Sequence, residues 1–191
     1  MKNFIHFLLF SCLILSCKNN STNTSTPVVE KNMVSDSAAI AETIHGFYKF
    51  YSTFDNDTTQ YNFIDDSGKF LKLDETKLKL YLEKYAKTGL VSEEFLTNVR
   101  DFYIKCGKLW VTEEKGDVPS GMDADIMYCA QDGDFPEFTT APVMSVIKGD
   151  RATAKMVFKP NGGNGESRNY ELKKENGKWL MTKVECDTGI K

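Results

Sequence analysis

The chain is poor in the side chains that most catalytic chemistry draws on. Among 191 residues there are two histidines, His6 and His45, and three arginines, Arg100, Arg151 and Arg168, against 21 lysines. Arginine is the preferred bidentate partner of phosphate and carboxylate. With a formal charge of −3, this balance argues against nucleic-acid binding. Nucleophile and phosphate motifs are missing: there is no Gly-x-Ser-x-Gly, no paired Cys/His set, no Walker loop and no His-Glu-x-x-His. The glycine-rich run at 161–165 joins two expected strands and opens no helix, which makes it a poor phosphate cradle. The five cysteines lack metal-ligand spacing, and no internal repeat is visible. What remains, 41% apolar and 27% charged residues, is the balance of one soluble domain with appendages.

The longest apolar stretch, Phe4 to Leu15, is too short to span a bilayer as a helix, which needs about 20 residues. With Lys2 before it and Ser16 after it, it has the three zones of a signal peptide. Ile14-Leu15-Ser16-Cys17 resembles the bacterial lipobox. That resemblance implies a signal peptide of residues 1–16, cut by signal peptidase II, and a Cys17 carrying diacylglycerol on sulfur and an acyl chain such as palmitate on its new amine. Two or more acyl chains anchor stably. An ordinary secretory signal or a short membrane anchor is the plainer reading. The polar run Lys18 to Thr26 has no apolar periodicity, so residues 17–34 read as the lipidated cysteine and a flexible tether. Removing Lys2 takes the formal charge from −3 to −4, a sign that leaves the anchoring to lipid rather than to attraction for anionic headgroups. Export permits disulfides. Of Cys106, Cys129 and Cys186 at least one stays unpaired within the chain; one disulfide and three buried thiols are equally open readings.

Residues 35–191 read as a single α+β domain. Ser35 or Asp36 can cap a first helix whose Ile40, Ile44, Phe47, Tyr48 and Tyr51 recur at spacings of three and four. Residues 55–73 are irregular, with Tyr61, Phe63 and Phe70 able to pack back on the core. Asp74 caps a second helix, bearing Leu78, Leu82 and Tyr85 on one face and ending toward Gly89. Ser92 caps a third, with Glu93 and Glu94 in its first turn and its end between Gly107 and Gly116. The period then switches to two. Runs 143–148 and 151–159 flank Gly149-Asp150, and runs 167–174 and 178–186 flank Asn176-Gly177, both hairpin signals. In the last run Trp179 and Met181 are expected on one face, with Leu180, Val184 and Cys186 on the other. The pattern predicts three N-terminal helices packed on a curved, mainly four-stranded antiparallel meander.

Three stretches taken together resemble a known family: Phe47-Tyr48-Lys49-Phe50-Tyr51; Asp123-Ala124-Asp125-Ile126 with Ala130-Gln131-Asp132; and Gly177-Lys178-Trp179-Leu180 with Val184. The family is the exported bacterial proteins of domain of unknown function 3828, which look like a variant of the nuclear-transport-factor-2-like α+β cone. The likeness runs over roughly residues 38–187, with Phe50 where that family prefers Trp. It implies a cone-like fold and export, and no activity.

Candidate site residues are few. Asp123, Asp125, Gln131 and Asp132, with Asp134, cluster oxygens that could take calcium. Yet Gly133 falls between two acids and the fifth ligand position has none, so a loop whose carboxylates cap its own turns is the preferred reading. His45 could serve acid–base chemistry given a carboxylate partner, but a lone histidine on a helix is more often structural. Tyr48, Tyr51 and Trp179 could line a pocket or simply form core. No cofactor and no metal are implied. The expected protein is a lipid-anchored envelope domain, held to the membrane through Cys17, that binds an unknown small ligand or envelope protein without catalysis. The alternatives are a small hydrolase or isomerase using His45, and an immunity-type protein against an envelope toxin.

Overall fold

The computed structural model describes the backbone of residues 27–53, 61–130, 136–159 and 165–186, with side chains from residue 35 onward. Helix α1 (Pro27–Tyr51) is followed by two short strands, β1 (Ile64–Asp65) and β2 (Lys72–Leu73), which pair antiparallel. Helices α2 (Glu75–Ala86) and α3 (Glu93–Trp110) come next. After a 3-10 turn (Pro136–Thr139), the strands β3 (Val143–Lys148), β4 (Arg151–Phe158), β5 (Glu166–Glu175) and β6 (Lys178–Glu185) form an antiparallel meander in chain order.

The local signals act where they were expected. The Asp74 carboxylate accepts from the N–H of Lys77 at 3.0 Å, and the Ser92 hydroxyl from that of Phe95 at 3.2 Å. Each satisfies an N–H that the first turn leaves without a partner. Asn176 and Gly177 both have positive φ, as a type I′ turn requires, whereas Gly149 alone does so in the first hairpin. Gly89, at φ 63, turns the chain out of α2.

Besides the short β1–β2 ladder within a stretch expected to be irregular, three features differ from the expectation. Helix α1 begins at Pro27 rather than at Ser35, so its first turns occupy residues read as tether; proline suits the first helical position, where no N–H partner is needed. Helix α2 packs on α3 and α1 rather than on the sheet, with Tyr85 stacked 5.9 Å from Phe47 and tilted against Phe95 at 6.2 Å. The third is a β-bulge in β6. Glu171 pairs with Lys183 but Leu172 with Met181, which leaves Thr182 as the extra residue. One inserted residue reverses the alternation beyond it. Val184 therefore stands opposite buried Tyr170, on the same face as Met181 and not on the face of Leu180.

Helix α1 crosses the inner face of the sheet from β6 to β3. The Thr43 hydroxyl bonds to the Trp179 carbonyl at 3.0 Å, and Ser145 Oγ to Ser37 Oγ at 3.0 Å. Residues Leu90 to Ser92 extend the sheet beyond β6: Met181 N–H donates to Leu90 O at 2.9 Å and Ser92 N–H to Met181 O at 3.0 Å. The core between helices and sheet is aromatic. Phe47, Tyr48, Tyr51, Phe63, Tyr85 and Tyr170 have no exposed surface.

Candidate functional site

Asp125 is the centre of the best-defined polar constellation. It lies in the segment that leads from α3 toward the sheet, where its Oδ1 accepts the N–H groups of Met127 at 2.7 Å and Tyr128 at 3.0 Å. Its Oδ2 accepts the hydroxyls of Tyr51 and, at 3.2 Å, Tyr61. The turn closes through Cys129 N–H to Asp125 O at 2.7 Å and Asp125 N–H to Ala130 O at 2.8 Å. Cys129 itself adopts φ 55, a conformation that non-glycine residues seldom take. A disulfide to Cys186 ties it to the end of β6. Arg168 holds the turn from the other side, donating to Tyr128 O at 2.8 Å while its guanidinium lies 5.2 Å from the Phe158 ring centre.

The tyrosine hydroxyls satisfy one another and the backbone. Tyr48 donates to Met127 O at 2.6 Å and accepts from Tyr170 at 3.1 Å; Tyr81 and Tyr85 share a bond of 2.8 Å. Burial pushes the phenols of Tyr48, Tyr51, Tyr85 and Tyr103 well above their ordinary value. The negative charge of Asp125 adds to this at all four. These groups stay neutral donors at any physiological pH. Cys106 is free and buried, and loss of solvation raises its thiol to about 12, so it is no nucleophile near neutrality.

The structure brings Tyr48, Tyr51 and Asp125 together and separates the other sequence candidates. His45 is half-buried, and its Nε2 lies 2.9 Å from the carbonyl of Ala141. That bond makes Nε2 the protonated nitrogen. Among the described residues no hydrogen bond or ion pair joins His45 to a carboxylate. Trp179 sits at the opposite end of the sheet, buried, with Lys174 Nζ 5.6 Å from its ring centre. Its Nε1 makes no bond of standard geometry, yet it lies close enough to Asp36 to add to the effect of Lys174, whose ammonium 2.6 Å away holds that carboxyl below its usual value. Asp123 is exposed on the rim of a cleft of about 300 Å³ beside the disulfide. Gln131 and Asp132 lie outside the described residues, as do Cys17 and the tether before Pro27. Among the described residues no three His, Cys, Asp or Glu side chains converge as a metal site.

Tyr61 was expected only to pack back on the core, and Tyr128, Tyr170 and Arg168 were not expected at a site. Tyr61 and Tyr128 lie in irregular segments where no periodicity marks a buried face. Tyr170 was visible only as a strand core residue. Arg168 carried a weak signal: it alternates onto the inner face of β5, opposite Met156, where a charge needs partners. No family model, no curated protein and no solved structure matches this chain.

Proposed function

We propose that this protein is a lipid-anchored domain of the bacterial cell envelope, held on the membrane through Cys17, that works as a non-enzymatic binding module through its surface. The lipobox-like Ile14-Leu15-Ser16-Cys17 and the polar run behind it support the anchor. The observation that carries the binding reading is the commitment of the interior polar groups. Asp125 spends both oxygens on two backbone N–H groups and two tyrosines, and His45 spends Nε2 on a backbone carbonyl. A hydrolase or isomerase using His45 would first have to break that bond and find an acid. The clefts among the described residues open at the surface, one beside the disulfide and one of about 170 Å³ between α3 and β6, which favours a partner that binds from outside. The order of three helices and a four-stranded antiparallel sheet suits the proposed likeness to domain of unknown function 3828 and the cone fold. An immunity-type role would be one form of such surface binding.

Metabolic labelling with an alkyne fatty acid tests the anchor. The wild-type chain takes label and fractionates with membranes; Cys17→Ser takes none. Label that persists in Cys17→Ser overturns the lipoprotein reading. In-cell crosslinking of the anchored chain, with quantitative comparison against a Cys17-anchored unrelated domain, tests the binding reading: partners no different from that control's would count against it.

A further inference from the structure

The outer face of the β3–β4 hairpin has a chemistry the overall charge conceals. Alternation puts Met144, Val146 and Lys148 of β3, and Arg151, Thr153, Lys155 and Val157 of β4, on the face opposite α1, with Lys159 just beyond and Glu94 at the start of α3 reaching its far edge. Met144 and Val146 are each 60% exposed. The only acid the hairpin contributes is Asp150, at its turn. Arg151 is neutralised by Glu94 at 3.0 Å, whereas Lys148, Lys155 and Lys159 make no ion pair among the described residues. The neighbouring half of the same face differs: Lys173 pairs with Glu175 at 2.7 Å and Lys183 with Glu171 at 3.6 Å. An acidic chain thus carries one strip of unpaired lysines set among exposed apolar side chains. That combination suits a surface that is negative outside and apolar beneath.

The position of the tether favours a membrane as that surface. Helix α1 bears the chain that leads back to Cys17, and it rests on the inner face of β3 through Ser37 and Ser145, which brings that chain to the edge strand whose other side is the strip. Residues 17–26 separate Cys17 from Pro27 and reach at most about 35 Å fully extended. Such a short link holds the domain at high local concentration against the headgroups.

We propose that the outer face of the β3–β4 hairpin docks on an anionic phospholipid surface, with Lys148, Lys155 and Lys159 at the headgroups and Met144, Val146 and Val157 entering the interface. This rests on the lipid anchor at Cys17 for its geometry. The docked domain would present its helical side to the envelope space, where a protein partner could reach it.

The test uses the full lipidated chain in vesicles of phosphatidylcholine alone or with one part in three of phosphatidylglycerol. An environment-sensitive fluorophore is placed at Met144→Cys on the face, or at Leu80→Cys, an exposed site on α2. Buried Cys106 does not compete for the label at neutral pH. On phosphatidylglycerol vesicles the probe at 144 shifts to the blue and becomes about threefold less open to aqueous iodide than the probe at 80, an effect driven by the basic strip. Adding Lys148→Glu and Lys155→Glu, or raising salt to about 1 M, removes the difference while the protein still sediments with vesicles. Equal quenching at 144 and 80 on vesicles that carry the protein overturns the docking proposal. So does shielding that survives charge reversal, or that arises only when envelope proteins are added. Failure to sediment with phosphatidylcholine vesicles overturns the anchor instead. The docking proposal is then read from probe 144 at millimolar phosphatidylglycerol, where unshielded probe counts against it.

Discussion

The two faces of the β3–β6 sheet share one backbone and carry opposite chemistry. On the inner face Ala152, Ala154, Met156, Tyr170, Leu172 and Met181 are buried beneath the helices. On the outer face the alternate positions hold lysines, glutamates, threonine and a few exposed apolar side chains. The difference shows where this fold keeps its stability and where it is free to change. The inner face is fixed by packing and by a hydrogen-bond network that runs from Tyr170 through Tyr48 to the backbone beside Asp125. The outer face is constrained only to stay soluble or to meet a partner. Changes inside should therefore show in stability, and changes outside should show in association.

High pH gives the largest expected break. The phenols of Tyr48, Tyr51, Tyr85 and Tyr103 are raised in the folded state, chiefly by burial. The unfolded chain releases these protons near the ordinary value of about 10, while the folded chain retains them. Stability is thus fully present below pH ~10 and falls as pH rises toward the folded values, by about 1.4 kcal/mol per unit for each tyrosine. Four such groups remove about 5–6 kcal/mol by pH ~11, comparable to the whole stability of many domains. Absorbance at 295 nm should rise in one cooperative step coincident with loss of helical circular dichroism. Separate titration of most tyrosines in a still-folded chain would show that the inner face is open to water.

Asp125→Ala is the next largest. It strands two backbone N–H groups and two tyrosine hydroxyls in a partly buried setting, and should cost about 3–5 kcal/mol in urea unfolding. The network needs the carboxylate shape, so Asp125→Asn should lose less, about half as much. If Asp125→Ala were as stable as the parent, the segment would be free of structural duty, and a binding role for the acid would regain weight.

The meander was legible because its signals are local: Asn176-Gly177 and Gly149-Asp150 set the turns, and alternation sets the buried face of β4. The helix caps were legible for the same reason. What escaped depends on the assembled fold. The bulge at Thr182 leaves no mark in composition, and it alone moves Val184 to the inner face. Asp125 resembled part of a cation loop because aspartates cluster around it; its role follows from Tyr61, 64 residues away in sequence, and Tyr51, 74 away. The pairing of Cys129 with Cys186 was one of the open readings, since parity left one thiol over without saying which. The family likeness implied a fold order and export, and was silent on the site.

The Cys129–Cys186 bond sharpens the comparison at the point where the two faces meet. It fastens the Asp125 turn to the end of β6 across a sequence separation of 57. Replacing both cysteines with serine should cost about 2–4 kcal/mol, mostly by freeing the unfolded chain. Leu172→Ala, a cavity on the inner face whose side chain makes no hydrogen bond to that turn, should fall in a similar range of about 2–5 kcal/mol. Combined, the two losses should add, because their sites share no hydrogen-bond partner. Strong non-additivity in denaturant melts would mean that the turn and the sheet core form one unit rather than two neighbouring ones.

The smallest effect on stability belongs to the outer strip, and it discriminates most about function. Lys155 neighbours Met156 in sequence but points away from the core, and Lys148 lies on the same outer face. Lys148→Ala and Lys155→Ala should each stay within about 0.5 kcal/mol of the parent, as surface changes away from caps and ion pairs usually do. Removing unpaired like charge from one strip could even raise stability slightly at low salt, where screening is weak. A loss above about 1 kcal/mol at either site would mean that these lysines hold the fold. The strip would then no longer be free surface, and its unpaired charge could not be assigned to an outside partner. Unchanged stability leaves solubility and association as the physical reasons for an acidic protein to carry three unpaired lysines beside exposed methionine and valine, and shielding of the probe at 144 on anionic vesicles separates the two.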